Sequence, residues 1–419
     1  MKTQKVDVAV IGAGPAGMAA AIAAKEGGAK EVVIIERSED SGGLLYQCIH
    51  NGFGLLYFKE DLTGPEYAAR FIKKVKELEI RTQLDTMVTM ISQNREITAV
   101  SSKQGYVTFE PEAIVLAMGC RERSRSAINI PGTRPAGIFT AGTAQRFVNV
   151  EGFLPGKNVV ILGSGDIGMI MARRLALEGA EVKAVVEILP YVGGLIKNEV
   201  QCIHDFDIPL LLEHTVTDIH GEQRVKMVTV AKVDKERNPI KGSEKKIECD
   251  TLLLSVGLIP ENELSVLAGV ELNSITGGPV VDENMQTSVQ GIFAGGNVVQ
   301  VHDLVDNVTW ESELAGLGAA KFALEEQPTL ERKITLRPGR NVRYIVPQFI
   351  SGLRDVTLHM RVREPAQNVV INVGDFMRRK ERVVKPSVMT KLRLSANQLK
   401  KVGKETKKIT VECEKEGTK

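Results

Sequence analysis

The chain has 419 residues, of which 43% are hydrophobic and 25% charged, with a formal net charge of +2. This composition is typical of a globular protein of two or three domains, and no apolar run approaches the roughly 18 residues of a transmembrane helix, so we expect no membrane span. The five cysteines are scattered and never two residues apart, which excludes a disulfide scaffold and a paired-cysteine metal or redox site. We therefore expect no metal, and a reducing compartment, the cytoplasm.

The N-terminal segment predicts a dinucleotide site. An apolar strand over residues 8–11 leads into Gly12, Gly14 and Gly17 and then into an alanine-rich helix. In this pattern the first glycine allows a sharp turn, the second lets the backbone approach a pyrophosphate, and the third lets the helix pack on the strand. The next strand ends at Glu36, whose carboxylate suits the hydroxyls of an adenosine ribose.

The same unit recurs 151 residues later. The repeat preserves the glycine turn, the end of the helix, the acid and a glycine pair beyond it, whereas glycines that merely end strands would not keep this register. A carboxylate at the second acidic position accepts bonds from the ribose hydroxyls and repels a 2′-phosphate, so we expect NAD rather than NADP. The residues of the second copy are Gly163, Gly165, Gly168, Gly179, Glu187, Gly193 and Gly194, matching Gly12, Gly14, Gly17, Gly28, Glu36, Gly42 and Gly43.

The segment after the first unit carries a resemblance to a known group. Residues 41–54, which include Gly42 and Gly43, are glycine-rich and too polar for a core strand. They lie one connection beyond the ribose acid, so they can reach the far end of an extended cofactor. With the doubled glycine pattern they resemble the two-dinucleotide-binding flavoproteins related to the pyridine nucleotide-disulfide oxidoreductases. The resemblance implies FAD in the first unit and NAD in the second. The disulfide enzymes carry a cysteine pair just after these glycines, but Leu45 and His50 stand there, which argues against that dithiol chemistry.

Cys48 and His50 are the candidate catalytic residues. Cys48 can be a thiolate near the flavin, and His50 can donate or accept a proton because imidazole titrates near neutral pH. The alternative is that Cys48 is a small buried residue and that His50 binds backbone or solvent in a loop. The sequence leaves both open and favours burial for Cys48.

Three later runs resemble cofactor-approaching motifs of the same group. Residues 113–119 form an apolar strand that ends at Gly119 on the FAD side, and residues 250–262 mirror it with Gly257 on the NAD side. Residues 278–297 resemble the flavin-ribityl motif and end in Gly296 and Asn297. An aspartate usually stands at the last position, but an amide still bonds a ribityl hydroxyl.

Periodicity predicts the elements between these motifs. We expect a helix over residues 63–80 and a small sheet over residues 81–110. Thr309 is expected to cap a helix that points toward the flavin, and His302 and Asp303 to be turn residues.

The C-terminal region differs in charge and in period. Residues 331–419 contain 22 Lys and Arg against 9 Asp and Glu, a net charge of +13, which leaves −11 for the preceding residues. Residues 356–363 alternate with period two, which places His359 and Arg361 on a polar face and predicts a β-sandwich or meander. Aromatic residues do not interleave the basic ones, so we expect no nucleic acid. A solvated face and docking to an acidic partner protein stay open.

Together these patterns predict an α/β fold with two Rossmann-like dinucleotide-binding domains, one inserted in the other, and a small C-terminal β-rich domain. The expected limits are 1–125 and 270–330 for the FAD-binding domain, 126–269 for the NAD-binding domain and 331–419 for the basic β-rich domain.

A narrower resemblance concerns function. Residues 47–54, 140–146 and 163–174 are similar to the FAD/NAD-binding subunit that accompanies a bacterial glycerol-3-phosphate dehydrogenase, and to subunits of amine and opine oxidases. The resemblance implies an oligomeric FAD-dependent NAD(H) oxidoreductase whose partners are a small redox protein and a dehydrogenase subunit. Two alternatives are a stand-alone NADH oxidase or disulfide reductase that uses Cys48, and a non-catalytic nucleotide-binding assembly subunit.

Overall fold

The computed structural model describes residues 3–325, 333–351, 354–403 and 405–417. The chain divides into two compact units, one of Met1–Cys120 with Pro260–Lys419 and the other of Arg121–Ile259. The predicted limit between residues 330 and 331 lies outside the described residues, and the three-domain division stays a prediction.

The N-terminal part of the first unit is built on a mostly parallel sheet. Its strands are ordered β5–β2–β1–β8–β7–β6, with β5, β2, β1 and β8 parallel and β7 and β6 added as antiparallel neighbours. Thr63 caps α2 in a reciprocal pair of hydrogen bonds with Glu66, as the predicted helix requires. The elements are β1 (Thr3–Ile11), α1 (Pro15–Glu26), β2 (Val32–Ile35), β3 (Asn51–Phe53), β4 (Leu62–Thr63), α2 (Gly64–Glu77), β5 (Arg81–Gln83), β6 (Thr86–Ile91), β7 (Ile97–Ser101) and β8 (Gly105–Leu116).

The middle segment repeats this architecture around its own core. A parallel sheet in the order β10–β17–β11–β12–β13 is accompanied by the antiparallel strands β14, β15 and β16. Strand β17 is buried along its whole length, because the sheet is covered on both faces. The elements are β9 (Cys120–Glu122), β10 (Ile138–Thr140), α3 (Ala141–Arg146), β11 (Asn158–Leu162), α4 (Asp166–Leu177), β12 (Glu181–Glu187), α5 (Ile196–Cys202), β13 (Leu210–Leu212), β14 (His214–Gly221), β15 (Val225–Lys232), β16 (Lys245–Glu248), β17 (Thr251–Leu254) and β18 (Leu258–Pro260).

The chain then returns to the first sheet. Following α6 (Glu263–Leu267), β19 (Ile292–Ala294) pairs in parallel with β8, and α7 (Val305–Ala323) packs on α1. The two helices approach closely at Gly316, where a Cβ would lie 2.1 Å from the carbonyl oxygen of Ala20. In the described part of the chain no helix is both long and apolar enough to span a membrane.

The C-terminal region is a small β-sandwich in the same compact unit. One sheet has the order β22–β20–β27–β24–β25 and the other β21–β23–β26, and their apolar side chains share a core that includes Cys413. The elements are β20 (Ile334–Pro338), β21 (Val342–Val346), β22 (Phe349–Ile350), β23 (Val356–Val362), β24 (Ala366–Val373), β25 (Met377–Val384), β26 (Thr390–Leu394), α8 (Ala396–Leu399) and β27 (Lys408–Lys415).

Candidate functional site

The first glycine turn lies between β1 and α1. Gly12 has φ +105°, and a Cβ there would lie 2.6 Å from the carbonyl oxygen of Ala117. A Cβ on Gly17 would lie 1.7 Å from the carbonyl oxygen of Gly12, so the start of the helix depends on the missing side chain. At Gly14 nothing lies within 4 Å of such a Cβ. Open space beside a helix N-terminus is what the pyrophosphate of a dinucleotide requires.

The first acid is held by this turn. Oε2 of Glu36 accepts a hydrogen bond of 2.6 Å from the Ala13 amide, and Oε1 accepts one of 2.8 Å from the Ser38 amide. The Gly42 amide donates to the carbonyl oxygen of Ala13 at 2.8 Å, which brings the following segment back to the turn. Each carboxylate oxygen keeps a second lone pair, so Glu36 is oriented and still able to accept from a ribose hydroxyl.

The second copy of the sequence repeat has the same contacts at positions 151 residues later. Oε2 of Glu187 accepts from the Ser164 amide at 2.8 Å and from its hydroxyl at 2.6 Å, and Oε1 accepts from the Leu189 amide at 3.0 Å. The Gly193 amide donates to Oγ of Ser164 at 2.9 Å. The sequence repeat is therefore also a repeat of hydrogen bonds.

The second glycine turn is as tightly enclosed as the first. Gly163 has φ +101°, and a Cβ there would lie 2.1 Å from the carbonyl oxygen of Ser255. A Cβ on Gly168 would lie 2.5 Å from the carbonyl oxygen of Gly163, whereas Gly165 has only ordinary contacts around that position.

Two of the remaining predicted glycines, Gly43 and Gly296, lie beside the first glycine turn. Gly43 approaches the first turn, since its Cβ position lies 3.0 Å from the Cα of Gly14. Gly119 and Gly257 follow β8 and β17 with φ +73° and +103°, and the Cβ position of Gly119 faces open space. Gly296 has φ +77°, and its Cβ position lies 2.8 Å from the Cβ of Ala16 in the first turn of α1.

Asn297 is engaged by its own surroundings. Its Oδ1 accepts from the His302 amide at 3.0 Å, and its Nδ2 donates to Sγ of Cys120 at 3.6 Å. The side chain therefore helps to order the turn after β19, and its role toward a ribityl chain stays a prediction.

Cys48 and His50 lie on the segment that leads into β3. Cys48 is half-buried, and burial raises the pKa of its thiol to about 12. His50 is half-buried, with Nδ1 3.1 Å from the carbonyl oxygen of Asn51 and its ring 5.1 Å from that of Phe53. The raised pKa disfavours a thiolate at Cys48, and the contacts of His50 are those of a loop residue.

Alkylation measures the thiolate content of Cys48. At pH 8 a thiol with a pKa of about 12 is ionised in about one molecule in 10,000, against about one in four for an ordinary cysteine. We expect iodoacetamide to modify Cys48 in the native protein at a rate that rises about tenfold per pH unit from pH 7 to 9, as followed by mass spectrometry. The reference is N-acetylcysteine, and a rate that levels off near pH 8.5 would show an ordinary or activated thiol.

A group of buried charged residues was missed by the sequence analysis. His302, predicted to be a turn residue, has a buried side chain and lies 3.1 Å from Glu311 of α7. His359 and Arg361, predicted to share the polar face of one strand, point inward and contact Glu311 and Asp303. The interpretation of that face as solvated is wrong at these two positions, because the strand is covered by residues distant in sequence. The available signal in the sequence for these buried charges was the pair His302 and Asp303 directly before α7.

The predicted cap of α7 is also wrong. The helix begins at Val305, so Thr309 lies inside it, where its Oγ1 is 2.7 Å from the hydroxyl of Tyr67. Asp306 in the first turn accepts from the Tyr57 amide at 2.8 Å. These tertiary contacts hold the first turn in place of a side-chain cap.

Comparisons with known proteins agree with this geometry. A family model described as pyridine nucleotide-disulphide oxidoreductase matches residues 6–312. An opine oxidase subunit of Agrobacterium tumefaciens (strain Ach5) is 27% identical over 316 residues, which cover 70% of this chain and 61% of the relative. The hydrogen cyanide synthase subunit HcnB of Pseudomonas protegens is 28% identical over 286 residues, which cover 63% of this chain and 59% of the relative. The chain thus spans about three fifths of the length of these curated relatives.

A solved structure gives the same result for the fold. Thioredoxin reductase from T. acidophilum superposes with a TM-score of 0.64 at 25% identity, covering 77% of this chain and 99% of that one. The predicted fold class is confirmed, and so is a family of oxidoreductases that use FAD and a pyridine nucleotide. The preference for NAD over NADP stays a prediction. With a family match over most of its length, the chain belongs to the pyridine nucleotide-disulphide oxidoreductase family.

Proposed function

We propose that the chain passes hydride between NAD(H) and FAD and serves as an electron-transfer subunit of a dehydrogenase complex. The observation that carries this proposal is the pair of glycine turns, each of which holds a buried glutamate through backbone amides. Glu36 accepts from the amides of Ala13 and Ser38, and Glu187 from those of Ser164 and Leu189 at the equivalent positions. An assembly subunit that bound nucleotide for stability alone would have no need of two such sites.

The residues of the first unit fit FAD and those of the second fit NAD. Gly14 leaves space at the N-terminus of α1, and Glu36 presents a buried, oriented carboxylate beside it. When bound, the two cofactors supply hydride exchange, and the chain supplies binding and orientation. We propose a preference for NADH over NADPH, because a 2′-phosphate would meet the Glu187 carboxylate.

The destination of the electrons is the finer part of the proposal. Leu45 and His50 stand where the disulfide enzymes have their cysteine pair, so electrons leave the flavin toward a partner and not toward an internal dithiol. The opine oxidase relative and HcnB are both named as subunits, which supports a complex. We propose a partner that carries the substrate site, of the glycerol-3-phosphate dehydrogenase type by resemblance, with a small redox protein as a further electron carrier, in the cytoplasm.

An anaerobic absorbance titration tests the cofactor part. We expect NADH to bleach the flavin band of the purified protein and NADPH at the same concentration to bleach it far less. Only NADPH carries a 2′-phosphate, which the Glu187 carboxylate repels. A yellow protein that NADH does not bleach, with or without a partner, would favour the alternative of a non-catalytic assembly subunit. Equal bleaching by both nucleotides would contradict the role of Glu187.

A further inference from the structure

Glu311 is a buried carboxylate inside α7. It is 2% exposed. Its Oε1 accepts from the Gly296 amide at 3.0 Å, and its Oε2 accepts from Nε2 of Gln300 at 2.8 Å. An isolated charge in such a position would be strongly unfavourable, so its neighbours decide whether it is ionised.

Two histidines complete the surroundings of this carboxylate. Nε2 of His302 lies 3.1 Å from Oε1, and Nδ1 of His359, from β23, lies 3.6 Å from Oε2. The two imidazole rings are nearly perpendicular, with centroids 5.6 Å apart. The carboxylate is thus contacted by the segment before its helix and by the C-terminal β-sandwich.

The charge of the cluster follows from these contacts. Burial raises the pKa of Glu311, but His302, His359 and Gln300 outweigh burial and hold that pKa below its ordinary value. Burial lowers the pKa of His359 to about 4 despite the nearby carboxylate. Nδ1 of His302 is buried and has no hydrogen-bond partner among the described residues, so the ring reaches Glu311 through Nε2. The cluster therefore contains a carboxylate that hydrogen bonds stabilise.

Other charged groups lie on the elements that pack against the cluster and pair among themselves. Asp303 pairs with Arg361, and Lys391 of β26 places Nζ 4.5 Å from the ring centroid of Trp310, on the side of Asp306. Asp303 and Arg361 balance each other, and Lys391 is shared with Asp306. The negative charge that contacts the turn after β19 is therefore that of Glu311.

Both Glu311 and His302 hold that turn. Glu311 accepts from the Gly296 amide, and the His302 amide donates to Oδ1 of Asn297 at 3.0 Å. This is the turn assigned by resemblance to the flavin, and a neutral amide stands where an aspartate is usual. The negative charge beside this turn is instead carried by Glu311 of α7.

We propose that Glu311, held by His302 and His359, is a positioning residue that fixes the Gly296–Asn297 turn and lowers the reduction potential of the bound FAD. This inference rests on the proposed function, in which the flavin accepts hydride. Hydride brings two electrons and one proton, so FAD gains one negative charge if it takes up no further proton. A fixed carboxylate opposes that gain in a medium of low dielectric constant. The C-terminal β-sandwich, through His359, thereby takes part in setting the potential.

Glu311→Gln tests the proposal. The new amide keeps an oxygen for the Gly296 amide, and Gln300 can rotate to offer Oε1, which has no partner among the described residues, to the new NH₂ group. We expect the variant to favour reduced over oxidised FAD by about tenfold relative to wild type, which is about 30 mV for a two-electron couple. The measurement is the midpoint potential of the FAD-loaded full chain, by anaerobic equilibration with a reference dye.

Glu313→Gln is the matched control. It makes the same chemical change two residues along α7, where the carboxylate accepts from the hydroxyl of Tyr57 at 2.6 Å, on a side of the helix away from the turn. Its potential should equal that of wild type. If Glu311→Gln binds FAD with an unchanged potential, or both variants shift equally, the proposal fails, even if FAD binds more loosely.

His359→Leu provides a second variant in case Glu311→Gln does not fold. It replaces the imidazole whose Nδ1 lies 3.6 Å from Oε2 of Glu311 by an apolar side chain and leaves the turn untouched. The buried carboxylate then has fewer polar neighbours and takes up a proton more readily, so the potential at pH 6 should rise relative to wild type. An unchanged potential would contradict the proposal. Dye equilibration needs neither NADH nor a partner, so this failure is distinct from a failure of NADH to bleach the wild-type flavin.

Discussion

Gly163→Ala should give a yellow protein that NADH no longer bleaches while dithionite still does. A Cβ at this position would lie 2.1 Å from the carbonyl oxygen of Ser255, and the φ of +101° is one that alanine rarely adopts. Relief of the contact must move the turn that leads into α4, where the NAD pyrophosphate is expected. Strain and displacement of about 3 kcal/mol correspond to about a 100-fold loss of NADH affinity.

The measurement for Gly163→Ala is the NADH dissociation constant from the anaerobic flavin titration, with FAD content as the check on folding. Gly179→Ala is the matched control, because Gly179 has φ +85° but nothing within 4 Å of its Cβ position. It carries the conformational cost without the contact, so we expect about 1 kcal/mol of lost stability and near-normal NADH affinity. Normal NADH binding by Gly163→Ala would mean that the turn is not the nucleotide site.

Glu36→Gln and Glu187→Gln should have reciprocal effects on the two cofactors. In the wild-type protein, one carboxylate oxygen accepts from a backbone amide of the turn and the other from the amide two positions after the glutamate. Each replacement leaves a single carbonyl oxygen to accept these bonds. The new NH₂ group then faces a donor, and the charged hydrogen bond to the ribose is lost. At about 1.5–3 kcal/mol per charged hydrogen bond, we expect a loss of roughly 10- to 100-fold in FAD affinity in the first variant and in NADH affinity in the second.

Two assays separate these effects. FAD affinity is measured by fluorescence on the apoprotein, and NADH affinity by titration of the FAD-loaded protein. Glu187→Gln should also narrow the difference between NADH and NADPH, because the 2′-phosphate is no longer repelled. Each variant serves as the control for the other, and a loss of both affinities in either variant would indicate general destabilisation.

Features of the fold that depend on neighbouring residues alone were predictable from the sequence. A glycine with positive φ between a strand and a helix, and an acid at the end of the next strand, lie within about 25 consecutive residues in each unit. Helix α2 was likewise predictable, because Thr63 and Glu66 form its cap within one turn.

The start of α7 was not predictable by the same reasoning. The first four residues, Val305 to Val308, include β-branched and Asx residues that are poor helix formers, so periodicity placed the start at Thr309. The structure extends the helix backward because Asp306 bonds the Tyr57 amide and neighbouring side chains are buried. Tertiary contacts here outweigh local propensity.

The two glycine turns, the acid that follows each of them and the absence of a cysteine pair after Gly42 and Gly43 were thus readable from the chain alone, because spacing and backbone conformation are properties of neighbouring residues. The buried cluster of Glu311, His302 and His359 was not, since the alternation of β23 shows that His359 shares a face with Arg361 but not what covers that face. Whether a charged side chain is solvated or buried depends on which distant segment packs over it. That choice is made by the whole fold and leaves no period in the sequence.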